Sequence, residues 1–304
     1  MKTAELARTI TRNGSKQTYF TARLMVDKEL VDDFLSAYAY FRWVDDVIDV
    51  HACSSQERIA FMERQKAIID GLFNRETFKD LSDEEMIIAE LIQHRSPDDE
   101  GLGSFIRNML AIIDFDAHRK GRLIQQNELA WYTERLGISV TDGIQYFIGN
   151  GHPYSKAKGR YLAATAAHIT HLLRDMIRDI ADGFINIPIE YLQTYNIDPD
   201  EYTTQAFKAW VKDRVELARQ LFYEGKKYLD QLDVLRCKIV GYWYCARFEG
   251  VLNAIERDKF VLRETYNERR SILTHIKIGW IGIVVTLRHM FRKLTNIFNH
   301  QFVE

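Results

Sequence analysis

The stretch YFRWVDDVID, residues 40–49, sets three aspartates and one arginine directly behind a run of aromatics. On a helix, residues at i, i+3, i+4 and i+7 share a face. Tyr38, Phe41, Arg42, Asp45 and Asp49 therefore line up, with the aromatic part of the stripe pointing inward. The carboxylates continue that stripe, toward a cleft rather than open solvent. Asp46 lies about 100° around the helix, at the edge of the site. Like charges at i,i+4 destabilise a helix by roughly 0.2–0.5 kcal/mol per pair unless a cation sits between them.

A second stretch repeats the pattern. In AATAAHITHLLRDMIRDIADG, residues 163–183, His168, His171, Asp175, Asp179 and Asp182 form one stripe, flanked by Arg174 and Arg178. Alanine and threonine fill the preceding turns and leave room for a ligand. A single D-x-x-x-D arises readily by chance, and its plain reading is a solvated face whose aspartates pair with nearby arginines. Two clusters of one spacing, each extending an apolar or small-residue face, favour chemistry instead. Carboxylate oxygens suit Mg²⁺, which usually bridges to substrate phosphates. Facing clusters of this kind can hold two or three such ions around one or two diphosphates, with arginines gripping phosphate oxygens.

The bulk composition agrees with a helical protein. The chain has 304 residues, 46% of them hydrophobic, with 16 glycines and four prolines. That is ample for a core and too little turn punctuation for an all-β fold. The expected class is all-α, in a single domain. The formal charge of −2 gives no support for nucleic-acid binding. Cys53, Cys237 and Cys245 lack metal-site spacing, and free thiols in a reducing, cytoplasmic compartment are expected. The N-terminal stretch has no apolar segment of the signal-peptide kind.

Periodicity and breakers predict helices over Asp27–Val50, Ser55–Phe73, Asp83–His94, 104–121, 127–148, Lys156–Asp182, Thr204–Leu232, Val234–Arg257 and onward from Glu268. SPDDEGLG (96–103) reads as a loop, GNGHPYS (149–155) as a break, and 184–202 as loop with short turns.

With these residues in view, the chain resembles the squalene/phytoene synthase family. YAYFRWVDDVIDV (38–50) resembles that family's first aspartate motif, and HLLRDMIRDIADGFINIP (171–188) its second. NGSKQTYF (13–20) resembles the N-terminal substrate segment and RFEGVLNAIERDKFVL (247–262) the late helix, so the likeness covers about 13–270. The resemblance implies an isoprenoid synthase fold, a helical bundle around a central cavity. It implies a transferase of isoprenoid biosynthesis that condenses two prenyl diphosphates, commonly farnesyl diphosphate, head to head through a cyclopropyl diphosphate to a squalene- or phytoene-like product. Asp45, Asp49, Asp175 and Asp179 would hold Mg²⁺, with Asp46 and His171 as further metal-site residues. Ser15, Lys16, Tyr38, Phe41, Arg42, Arg174, Arg178 and Phe248 would contact substrate. Tyr132 is the nearest mid-chain tyrosine to a catalytic position. Reduction by NADPH stays open.

The chain departs from the pattern at His168 and His171, where the family usually shows Gln and Asn, and at Phe248, where many members carry tyrosine. Either histidine could act as ligand, hydrogen-bond donor or base. Two alternatives follow: a branch that ionises or cyclises a single prenyl diphosphate, and a non-catalytic relative serving in assembly or binding. The stretch HIKIGWIGIVVTLRHMFRKL (275–294), within the C-terminal segment 271–304, is apolar at its centre and basic at its ends. It is shorter than the about 20 apolar residues of a membrane span. It reads either as a helix packed on the core or as a peripheral helix resting on anionic lipid.

Overall fold

The computed structural model describes residues 2–51, 54–94, 100–149, 151–152, 154, 157–266 and 272–301. Cys53 and residues 96–99 of the expected loop lie outside them. Among the described residues the chain is all-α apart from two very short strands. The helices are α1 (Lys2–Gly14), α2 (Lys16–Met25), α3 (Val31–Asp46), α4 (Ser55–Phe73), α5 (Asp83–His94), α6 (Glu100–Arg119), α7 (Gln126–Ile148), α8 (Leu162–Ala181), α9 (Ile189–Tyr195), α10 (Gln205–Gln231), α11 (Leu235–Arg257) and α12 (Ile272–Gln301). The strands are β1 (Leu123–Ile124) and β2 (Ile185–Pro188).

The chain divides into two compact units. The first comprises Met1–Ile124, Ile138–Gly151 and Asp182–Phe184, and the second Gln125–Gly137, His152–Ala181 and Ile185–Glu304.

In the first unit α3 is the central helix. Tyr40 is fully buried and its hydroxyl donates to Gln65 Oε1 at 2.9 Å. Gln65 Nε2 donates to Glu85 Oε1 at 2.9 Å, and Arg64 Nε reaches the same carboxylate at 2.7 Å. A buried carboxylate needs such partners to offset its desolvation. Phe41 meets Phe105 edge-on at 5.5 Å, and Phe105 meets Phe147 at 6.1 Å. These contacts fix α3 against α4, α5, α6 and the end of α7, so its polar end has a defined position. Thr11 on α1 donates to Leu35 O at 3.2 Å.

In the second unit α8 packs against α10 and α11. The approach to α10 is close enough that a Cβ on Gly225 would fall 2.4 Å from Ala163 N. Alanine-rich turns of α8 thus allow tight helix packing at that point.

Several expected boundaries hold within two residues, notably α4, α5, α10 and α11. Others differ. Two helices, α1 and α2, precede the first one expected. The expected helix 27–50 begins as a 3₁₀ turn at Lys28–Leu30 and ends as a five-residue π-helix, Val47–His51. Glu100–Gly103 is the first turn of α6 rather than loop. Residues 158–160 form a 3₁₀ turn ahead of α8, and the segment after Gly183 holds β2 and α9. Gly183, at φ 90°, ends the run after α8, a left-handed position that glycine fills without strain.

Candidate active site

The first aspartate motif stands at the end of α3, within the first unit. Asp45 is the penultimate residue of α3, and Asp49 lies in the π-helical turn that follows it. Single π turns often mark functional sites because they re-aim side chains out of the α register. Arg42 donates from Nε to Asp46 Oδ2 at 3.1 Å, with a second, shorter bond to Oδ1, and its Nη1 is 3.6 Å from Asp45 Oδ2. Asp46, at the edge of the stripe, is therefore the carboxylate most fully neutralised here.

Asp45 and Asp49 are not neutralised to the same degree. Desolvation by surrounding protein, followed by the charge of Asp49, pushes the Asp45 carboxyl up to about 7 against the pull of Arg42. Asp49 is also raised, first by desolvation, with Asp116 and Asp182 adding to it and Lys120 opposing. Asp116 is anchored by Arg119 Nε at 2.6 Å, and the buried Arg119 guanidinium lies over Phe184 at 5.2 Å. Lys120 lies over the same ring at 5.3 Å. The first unit thus gathers Asp45, Asp49, Asp116 and Asp182 with negative charge in excess. An all-oxygen donor set with surplus charge suits a hard divalent cation.

Ser15, singled out in the N-terminal segment, caps α2 by accepting from Thr18 N at 3.1 Å. Lys16 is exposed at the first position of that helix. Gly14 just before them leaves room for the first motif: a Cβ there would lie 3.4 Å from Arg42 Cγ and 3.7 Å from the Tyr38 hydroxyl. The N-terminal segment and the Tyr38–Arg42 face are therefore neighbours.

The second motif lies on α8, within the second unit, and its charge balance is opposite. Asp175 faces Arg174 Nη2 at 2.6 Å, Arg178 Nη2 at 2.5 Å and His171 Nε2 at 2.8 Å. Burial alone would raise its carboxyl, but the bonds from His171 and Arg174 outweigh that and hold it far below the usual range. Asp179 accepts from Asn186 Nδ2 at 3.1 Å. His168 is buried, its Nε2 has no hydrogen-bond partner among the described residues, and burial lowers it to about 3, so it stays neutral. His171 and Phe248 place their rings 6.1 Å apart, and Phe248 and Tyr132 are both buried.

Sequence spacing did not single out Asp116, Lys120 or Asn186. Asp116 shares no i,i+4 repeat with another aspartate, so only the packing of α6 brings it to the motif. Asn186 lies in β2, just after the second motif, and its bond to Asp179 has no sequence signature. A separate trio, Glu63, Asp114 and His118, offers one ligand atom each within 4.8 Å of one another. Lys66 Nζ already stands there, 2.9 Å from Glu63 and 3.4 Å from Asp114.

Comparison with known proteins gives a consistent result. The family described as squalene/phytoene synthase matches residues 11–273. Among solved structures, squalene synthase HpnC from Alicyclobacillus acidocaldarius superposes with a TM-score of 0.66 at 21% identity, covering 86% of this chain and 95% of that one. A dehydrosqualene synthase solved with a ligand gives 0.66 at 14% identity, covering 96% and 97%. TcSQS, solved with the ligand BPH1237, gives 0.58 at 13%, covering 96% and 92%. At these identities the structural likeness speaks to the fold. No curated protein is similar in sequence at a significant level.

Proposed function

The chain belongs to the squalene/phytoene synthase family and is a prenyltransferase, and from that premise we propose that it condenses two molecules of farnesyl diphosphate head to head, with Mg²⁺, to a C30 product. Prenyl diphosphates are the family's substrates and a divalent metal its general requirement. The observation that carries the finer reading is the contrast between the two aspartate motifs. One carries unneutralised negative charge, and the other is wrapped in donors.

Asp45, Asp49 and Asp116 are the groups that would hold the metal at the first motif, and Asp175 and Asp179 at the second. Bound there, Mg²⁺ supplies Lewis-acid stabilisation of a departing diphosphate. The chain's own residues then do the following. Arg42, freed from Asp46 by a competing anion, offers a guanidinium to diphosphate oxygens, as do Arg174 and Arg178 when they turn from Asp175. Lys16, exposed at the start of α2, offers a further cation within the first unit. His171 donates to Asp175 in this arrangement, which fixes that carboxylate. His168, buried and neutral, serves as a polar wall or proton acceptor rather than a cation. Phe248 presents an aromatic face beside His171, suited to an allylic cation. Loss of diphosphate leaves that cation, the second molecule's double bond attacks it, and a proton is lost as the cyclopropane closes. NADPH enters only if the product is then reduced.

We further propose peripheral contact between α12 and a lipid surface. Trp280, Ile283, Leu287, Met290 and Phe291 are all exposed and fall within about 100° of one face. No helix among the described residues is long and apolar enough to cross a membrane.

The test is diphosphate release from farnesyl diphosphate with Mg²⁺ and with EDTA. Release only with metal supports the reading. Release with only C15 products would replace it with the single-substrate branch, and no release with any prenyl diphosphate would favour the binding relative.

A further inference from the structure

A cavity of about 430 Å³ lies wholly inside the second unit, walled by α7, α8 and α10. It is not the face of α8 that carries His168, His171 and Asp175. Its α8 wall includes Thr165, Ile169 and Leu173, and Ile169 is turned about 100° from His168. Half of the sixteen lining residues are aliphatic, and Trp210 from α10 joins them.

Two polar groups in that lining lack what their chemistry requires. Arg214 is half-buried, and among the described residues its buried Nε has no hydrogen-bond partner and no carboxylate stands within ion-pair distance of it. Its guanidinium lies over Trp210, 6.0 Å from the ring centre. Burial lowers its pKa, partly offset by the neighbouring charge of Asp213. Asn186 is 1% exposed. Its amide is oriented by Asp179, which accepts from Nδ2, because a carboxylate demands a donor. That leaves Oδ1 as an acceptor with no donor among the described residues. Leaving such a group unsatisfied costs about 1–3 kcal/mol. Glu134 and Gln126, both exposed, also line the cavity.

We propose that this cavity is a binding site for a single-chain phosphate monoester, its apolar chain between α7, α8 and α10 and its head at Arg214. The lining selects the class. An apolar chain fits the aliphatic walls, an anion neutralises Arg214, and the O–H of a singly ionised phosphate supplies the donor that Asn186 Oδ1 lacks. Glu134 disfavours heads of higher charge. Because the same Asn186 amide holds Asp179, an occupant is coupled to the second aspartate motif. Any effect on turnover rests on the function proposed above, whereas binding itself does not.

The experiment is equilibrium binding to the full chain at pH 6, with dodecyl phosphate and farnesyl monophosphate as the two probes and dodecanol as the neutral control. Stronger binding of the branched probe assigns the ligand to isoprenoids, and stronger binding of the straight one to alkyl lipids. Either supports the site, provided the variants behave as follows. Arg214→Gln should weaken the phosphates at least about 10-fold, as loss of a charge-assisted bond implies, and leave dodecanol within about twofold. Leu217→Trp, which fills the cavity from α10, should remove binding of all three. Thermal midpoints of both variants check that they fold. Failure of wild type to bind either phosphate overturns the proposal. So does binding that survives in a folded Leu217→Trp variant, or that is indifferent to Arg214→Gln.

Discussion

Asp45→Asn should abolish turnover and yet stabilise the metal-free protein. Raising a carboxyl from its ordinary 3.8 to about 7 corresponds to about 4 kcal/mol against its charged form. The Asp45 side chain keeps 45% exposure, and solvent screening reduces this to about 1–2 kcal/mol. The substitution sacrifices little, because Arg42 keeps both of its bonds to Asp46. The sign depends on pH. The folded value lies above the unfolded one, so the penalty is absent below about pH 4 and complete above about pH 7. In EDTA at pH 8 the Asn variant should therefore melt about 2–6 °C higher than wild type, and at pH 4 the two should coincide. Thermal unfolding followed by circular dichroism at both pH values measures this. A variant no more stable than wild type at pH 8, or equally stabilised at both, would refute the claim that this site stores unneutralised charge.

Asp175→Asn should act in the other direction. Removing the acceptor of Arg174, Arg178 and His171 should cost about 2 kcal/mol at pH 8, seen as a lower denaturant midpoint, along with turnover. Mg²⁺ competes with the proton on Asp45, so its affinity, measured by calorimetry, should rise with pH up to about 7 and level off above. Trp280→Asp combined with Phe291→Asp should remove co-sedimentation with phosphatidylserine vesicles while leaving activity on dispersed substrate unchanged.

Much of this fold is readable from side-chain periodicity. The α10 and α11 boundaries follow from uninterrupted helical patterns bounded by Thr204, Leu232 and Val234, and Gly183 ends its run as its backbone freedom suggests. The first two helices escaped because residues 2–25 carry few large apolar side chains, even though α1 is strongly amphipathic. The π turn at Val47–His51 is invisible to a 3.6-residue period. The aspartate motifs themselves were legible as spacing. Their opposite charge balance was not, because it arises on one side from desolvation in the packed fold, with Asp116 and Asp182 adding to it, and on the other from the rotamers of Arg174, Arg178 and His171. Spacing shows which carboxylates share a stripe, and only packing shows which of them lack a counter-charge.

The most direct test of the proposed chemistry is mass spectrometry of the hydrocarbon extract after incubation with farnesyl diphosphate and Mg²⁺, with and without NADPH. A C30 product, dependent on Asp45 and Asp175, is the expected result. Diphosphate release accompanied only by C15 alcohols or cyclised C15 hydrocarbons would contradict head-to-head condensation of this substrate.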